Sequence, residues 1–445
     1  MSTAQPSSPR VWLRRASDGN AALWLLVALG AAQAIVWSRG LPASGATTAW
    51  AWRAMLLFGL QLAAVVLAWN RRDRATLWII VGMAVVFRLA AWAWSPDLSS
   101  DLNRYVWDGR VQLSGVSPYD HPPADPALAQ LRDDAIWPHI NRPHAVTVYP
   151  PGAQMAFLTL AGVGGDSLVG VKTAAMLLEL GALLLVALAL RQRNLPGGRL
   201  ALYAWSPLVI AEICVSGHVD ALVLPLMLGA LLLAERRRGG WSGALIGAAT
   251  LVKLYPLVLL AAVPRAQRRK AALAAAAVIA LGYLPYIIIA GGHVLGFLPS
   301  YVCSGEDFNP SLRGYLQLTL AVALPHARVL AMMLCLAALG YAVLWIARHD
   351  HDDSFAAAAQ LALAFVLLLP TAVHPWYAVW LVPLIAIRPH PAGVWLAGLL
   401  PLSYLKYGAP GGHMPDWVLA AEWLPAFALV LVVWARAREP RLVPA

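Results

Sequence analysis

Seven aspartates and four arginines crowd the stretch between residues 97 and 151 of an otherwise apolar chain. These side chains suit proton and anion chemistry: a carboxylate can take a proton from a hydroxyl, and a guanidinium can clasp a phosphate. Ser99 or Ser100 can cap a short helix there, and Gly115 can end it. At ~100° per residue, Asp101, Arg104, Tyr105 and Asp108 share one face of that helix. The two carboxylates then sit two turns apart, ~10 Å along the axis, with the arginine between them. Asp125 and Pro126 read as the cap and first position of a second short helix running to about Asp134. The plainer alternative is a solvated juxtamembrane helix with an ordinary i,i+3 ion pair.

What must position these residues is a membrane. The chain has 445 residues, 60% hydrophobic and 12% charged, with a mean hydropathy of +0.65. Soluble domains carry about 25% charged residues. A single all-α, polytopic helical unit over 1–445 is the class that fits. The net charge of +11 reads as basic loops at one membrane face rather than nucleic-acid binding. Cys214, Cys303 and Cys335 are scattered and give no disulfide framework or metal spacing. The apolar run after the basic N-terminal tail carries no small-residue cleavage site and reads as a retained first span.

Apolar runs predict about 12–14 spans. They lie near 21–38, 54–70, 75–95, 168–190, 200–214, 221–234, 271–290, 329–347, 355–372, 376–387, 391–407 and 417–435. Residues 151–164 are too short to cross ~30 Å of hydrocarbon and read as re-entrant or surface-lying. A second short segment covers 314–325. Between 241 and 263 both flanks are basic, so two half-helices meeting at Lys253 are expected. Arginine-rich loops put both termini in the cytoplasm and the 97–150 loop in the periplasm.

Ionisable groups inside apolar spans need a reason. Arg88, Lys172, Glu212, Asp220, Lys253, His374, Lys406 and Glu422 fall near the outer ends of their segments, and Glu179 alone near mid-membrane. Snorkelling explains any one of them. Together with the outer-loop carboxylates they favour a site at the outer face. Arg104, Lys172 and Lys253 can clasp a phosphate. Tyr105, Tyr149, Tyr255, Trp376 and Tyr377 suit either an interface belt or stacking on sugar faces. His218 and Asp220, two apart, belong to a turn; His218 and His374 orient a substrate or cap a helix. No HxxxH or CxxC spacing marks a metal site.

Three segments carry a resemblance. Asp101-Leu-Asn-Arg-Tyr-Val-Trp-Asp-Gly-Arg110, Gly115-Val-Ser-Pro-Tyr119 and Tyr149-Pro-Pro-Gly-Ala-Gln154 resemble the first outer loop of GT-C glycosyltransferases. The likeness is to the bacterial polyprenol-phosphate-mannose-type mannosyltransferases, relatives of the GPI-anchor mannosyltransferases. Gly217 to Asp220, Lys253 to Pro256 and His374 to Tyr377 resemble later landmarks of that family. Ser117 stands where the resemblance expects Asn. The resemblance implies a GT-C fold with a helical first periplasmic loop, in the bacterial inner membrane. It implies a polyprenyl-phosphate sugar donor, a lipid or glycan acceptor, and inverting transfer with an aspartate base in that loop. Gln154 joins the substrate-binding set on this ground.

Of the two acids, Asp101 matches the family's position and lies nearer the third span. Its first-turn place favours a carboxylate's ionised form, which a base needs. Asp108 is the second catalytic candidate, placed to hold Arg104 or the acceptor. No cofactor is called for; a divalent cation is compatible with the chemistry. The rival readings are a lipid-linked sugar flippase or secondary transporter, which predicts repeats and mid-membrane acids, and a non-catalytic assembly partner.

Overall fold

The computed structural model describes residues 9–303, 308–349, 351–369 and 371–438, and among these no strand forms. The chain runs through α1 (Pro9–Trp37), α2 (Ala46–Ala68) and α3 (Arg74–Trp92), then α4 (Asp101–Leu113), α5 (Pro151–Gly162) and α6 (Leu168–Gln192). Two four-residue helices, α7 (Ala201–Ala204) and α8 (Pro207–Ile210), lead into a π turn over Ala211–Val215. Next come α9 (Asp220–Glu235), α10 (Gly239–Val252), α11 (Arg265–Ala290), α12 (Leu298–Cys303) and α13 (Leu312–Ala321). The last are α14 (Ala327–Arg348), α15 (Ser354–Leu368), α16 (Leu381–Ile387), α17 (Pro391–Leu399) and α18 (Asp416–Arg438).

Among the described residues seven helices are long and apolar enough to cross a membrane, and an eighth arises if the bent pair around Ser206, 51° apart, counts as one. The protein is an all-α polytopic membrane protein. The 12–14 spans expected from apolar runs included shorter pieces such as α15 and 375–387. Helices this short do not reach across the ~30 Å core, so length removes them from the full crossings.

Two large apolar cores and a small third one, of Tyr119, Tyr286, Ala290 and Val294, hold the described residues together. The largest is centred on the buried 200–234 region and on α15 to α17. The second lies beneath the 97–150 loop, where Tyr105, Trp107, Leu128, Ile136 and Ile140 pack on Phe157, Val171, Val223 and Val252. Burying these side chains, each worth about 1.5–3 kcal/mol, fixes the 97–150 loop onto the ends of α5, α6, α9 and α10. Large side chains left exposed, such as Trp24, Val66, Leu184, Ile288 and Met333, sit on the crossing helices, where lipid is their natural solvent.

Arg88 does not snorkel. It is fully buried and bidentate on Glu179, at 2.5 and 2.6 Å, with the carbonyls of Ala84 and Ala204 taking its remaining terminal nitrogen. Arg88 and Glu179 therefore share one depth, which corrects the reading of Arg88 as an outer anchor and Glu179 as a lone mid-membrane acid.

Candidate functional site

Helix α4 begins where its sequence says it should. Asp101 is its first residue, and the Ser99 hydroxyl accepts the Asp101 amide at 3.3 Å. Gly115 takes φ +82 just beyond the end, a left-handed stop that suits glycine. Gly109 lets α4 lie directly on α5, since a Cβ there would come within 2.7 Å of the Phe157 carbonyl. The first turn of α4 is thereby held at the mouth of a cavity of about 970 Å³.

The cavity wall combines charged, polar and apolar side chains. Asp97, Asp101, Arg104, Asn141, Arg142, Lys253 and His374 line it, together with Leu254, Phe365 and Leu369 and with Met332, Leu336 and Leu339 of α14. Tyr149, Tyr255, Trp376 and Tyr377 also line it.

Asp101 is one-fifth exposed; its Oδ1 accepts the Asn141 amide at 2.7 Å. Arg104 is clamped by Asp108 at 2.7 Å and by the Ala145 carbonyl at 3.0 Å. Its Nη2 is buried with no partner among the described residues, a donor left over for an anion. Lys253 occupies the break between α10 and the 3-10 helix Tyr255–Ala262, with extended backbone at φ −143, ψ 143. Pro256 follows closely and favours that interruption. The ammonium lies 3.2 Å from Asp220 Oδ2, and 6.0 and 5.6 Å from the ring centres of Tyr149 and Tyr377. That Asp220 oxygen is off-axis for a hydrogen bond, so the contact is ionic. Tyr255 donates to the other oxygen at 3.2 Å.

Several expected site residues lie elsewhere. Asp108 is fully buried, both oxygens engaged by Arg104 and, at 2.8 Å, by Gln154. The shared helix face is real, but the cavity ends after its first turn, so Asp108 positions Arg104 rather than facing the cleft. Gln154 is buried with its amide on Asp108 and Thr147 and its oxygen on Gln112. Lys172, expected at a phosphate, instead donates to the carbonyls of Trp92, at 2.7 Å, and Trp94, capping the exit of α3. Tyr105 stacks on Phe157 at 4.7 Å and borders a separate apolar groove of about 310 Å³ between α5 and α6. His218 and Asp220 are buried just behind the cavity wall.

Trp376 cannot stack on a sugar. One face lies on His218 at 4.2 Å and the other on His374 at 4.3 Å; His374 in turn lies on Phe308 at 4.4 Å. The column leaves ring edges, not faces, toward the cavity and fixes the planes of both imidazoles.

Several lining residues escaped the sequence reading, among them Asn141, Arg142 and Tyr301. Arg142 has a left-handed φ of +49 and lies 5.6 Å from the rings of Phe297 and Tyr301. A polar Asn-Arg pair ahead of Pro143 was the available signal. Among the described residues no group of three His, Cys, Asp or Glu side chains converges as a metal site.

The family model of glycosyltransferase family 87 matches residues 147–372, half of the chain. The match takes in Tyr149, His218, Asp220, Lys253 and Tyr255; Asp101 and Arg104 precede it, and His374 to Tyr377 follow it. No curated protein matches the chain. With its crossing helices and this match, the chain belongs to glycosyltransferase family 87 and is a membrane glycosyltransferase.

Proposed function

We propose that this enzyme is of GT-C type and moves a hexose, mannose first among the candidates, from a polyprenyl-phosphate donor to a lipid- or glycan-linked acceptor. The transfer takes place at the periplasmic face of the bacterial inner membrane, with both termini in the cytoplasm and inversion at the anomeric carbon. The observation that carries this reading is the make-up of the cavity wall: carboxylates and cations together with apolar side chains of α14 and α15. A polyprenyl phosphate calls for the same two kinds of surface. Its phosphate would lie against Lys253 and draw on the unpartnered Arg104 Nη2, and its isoprenoid tail would run between the helices.

The chemistry follows from the charges. The carrier phosphate leaves as an anion already stabilised by the two cations, so a strong general acid is unnecessary. The acceptor hydroxyl needs a base, and Asp101 lines the cavity on the first turn of α4, one turn from Arg104, with one oxygen clear of the protein hydrogen bond to Asn141. Asp108, with both oxygens engaged, holds Arg104 in place. A flippase or transporter would use a mid-membrane acid for coupling, whereas Glu179 is held by Arg88.

The test is transfer of radiolabelled mannose from polyprenyl-phosphate mannose to a lipid extract by purified protein in detergent. Product formation without a sealed membrane supports the reading, since transport cannot explain it. Turnover only with nucleotide sugars would refute the lipid donor.

A further inference from the structure

We propose that His218 and Glu212 form a proton relay behind Asp101, and that His218 receives, through Asp101, the proton released by the acceptor hydroxyl. The inference rests on the reading of Asp101 as the base. His218 is fully buried, yet neither ring nitrogen makes an aligned hydrogen bond within the described protein. Each nitrogen instead has a carboxylate near it. Nδ1 lies 4.0 Å from Asp101 Oδ2, and Nε2 lies 3.3 Å from Glu212 Oε2. The three groups run from the cavity wall into the interior.

The local fold is built to hold them. Gly217 takes φ +64 in a turn packed on Leu102 of α4, a backbone shape glycine adopts freely. The His218 amide then donates to the Glu212 carbonyl at 3.1 Å. Glu212 sits on the π turn, a device that re-aims side chains at functional sites. Tyr404 donates to its oxygens at 3.1 and 3.2 Å. Trp376 fixes the imidazole plane. Other groups around His218 are otherwise engaged. Lys172 of α6 touches Gly217 with its stem and gives its ammonium to the Trp92 and Trp94 carbonyls. Asp220 of α9 pairs with Lys253, and Tyr105 of α4 stacks on Phe157. His374 lies beyond Trp376.

The step balances. The acceptor oxygen bonds the anomeric carbon while the bond from that carbon to the phosphate oxygen breaks and its electrons leave on the polyprenyl phosphate. The hydroxyl proton goes to the Asp101 carboxylate, and from Oδ2 to His218 Nδ1. An imidazolium results, with the Glu212 carboxylate at its other nitrogen. After product departure the proton returns through Asp101 to solvent. The 4.0 Å gap exceeds a hydrogen bond, and such contacts commonly tighten only with substrate in place. His218 and Glu212 are positioning residues in this scheme, because neither touches substrate.

The experiment is the pH profile of kcat for the full-length enzyme, with polyprenyl-phosphate mannose as donor and lipid extract as acceptor. An imidazole beside an amide holds a proton less tightly than one beside a carboxylate. Glu212→Gln should therefore move the acid limb to lower pH by about one unit, cut kcat ~10-fold or more, and leave the donor KM unchanged. His218→Gln should move the limb the same way, cut kcat ~100-fold, and make a further Glu212→Gln change silent. Either variant losing activity with the limb unmoved would show a structural role and overturn the relay. Should Glu212→Gln fail to fold, His218→Gln decides alone by the same shift. Asp101→Asn separates the two readings. If it turns over normally, the base assignment itself fails; if it is inactive while both relay variants keep the wild-type limb, the relay alone fails.

Discussion

Removing the charge of Lys253 probes the proposed donor phosphate and the fold at once, and the structure says how to separate them. The Lys253 side chain is 17% exposed and its partner Asp220 only 1%. Lys253→Met leaves Asp220 buried, with the Tyr255 hydroxyl its remaining polar contact across the cavity wall. Breaking a fully buried pair costs about 3–5 kcal/mol; the partial exposure of Lys253 brings this to about 1–3 kcal/mol of stability. A phosphate in the cavity would lose a cation but keep Arg104, so donor binding should weaken by about 1.4–2.8 kcal/mol, ten- to a hundredfold in KM. Adding Asp220→Asn removes the stranded charge. The double variant should regain most of the unfolding midpoint while donor KM stays raised. The assay is donor KM for mannosyl transfer beside thermal unfolding in detergent. A double variant with wild-type KM would mean that Lys253 serves only to neutralise Asp220, and a single variant with unchanged KM would move the phosphate elsewhere.

Other outcomes follow from the same geometry. A single cysteine at the exposed Gln130, in a background without native cysteines, should react with an impermeant reagent from outside intact cells; labelling only after lysis would reverse the orientation. Arg88→Met or Glu179→Gln alone should destabilise by about 3–5 kcal/mol by stranding a buried charge, whereas Arg88→Met with Glu179→Leu should lie near wild type, read as detergent unfolding midpoints. Burial pushes the Asp133 carboxyl up, but the amides of Ile136 and Trp137 and the Arg110 guanidinium outweigh it and hold it below the usual range. Its folded value is the lower one, so its contribution to loop docking is full above the ordinary carboxylate range and fades as pH falls through the lowered value. Hydrogen exchange of residues 126–140 should therefore quicken in acid, and Asp133→Asn should remove that dependence.

The helical class, the first turn of α4 and the break at Lys253 were all readable in the sequence. Each is a local statement: apolar length, a serine before an aspartate, a lysine ahead of Tyr-Pro in a greasy run. What escaped was contact across long separations. Helical periodicity put Asp101 and Asp108 on one face but could not show that the cavity stops after one turn. Lys172 looked available until α3 ended beside it with carbonyls unpaired. Trp376 looked like a sugar platform because its sandwiching imidazoles come from 158 residues upstream and from two residues away. Arg88 and Glu179 are 91 residues apart, and no periodicity pairs such positions. Glu212 stood out as a costly intramembrane acid, but its place beside His218 depends on the π turn and on Tyr404.

Asp101 carries the central claim, and one comparison tests it most directly. Asp101→Asn and Asp108→Asn are purified side by side and assayed for mannosyl transfer from polyprenyl-phosphate mannose. Asp101→Asn keeps the side-chain shape and an oxygen for Asn141 while removing the base. Turnover should fall by roughly two to four orders of magnitude with donor binding retained. Asp108→Asn keeps an acceptor for Arg104 and should lose far less. Near-normal turnover in Asp101→Asn, with Asp108→Asn inactive, would contradict the account.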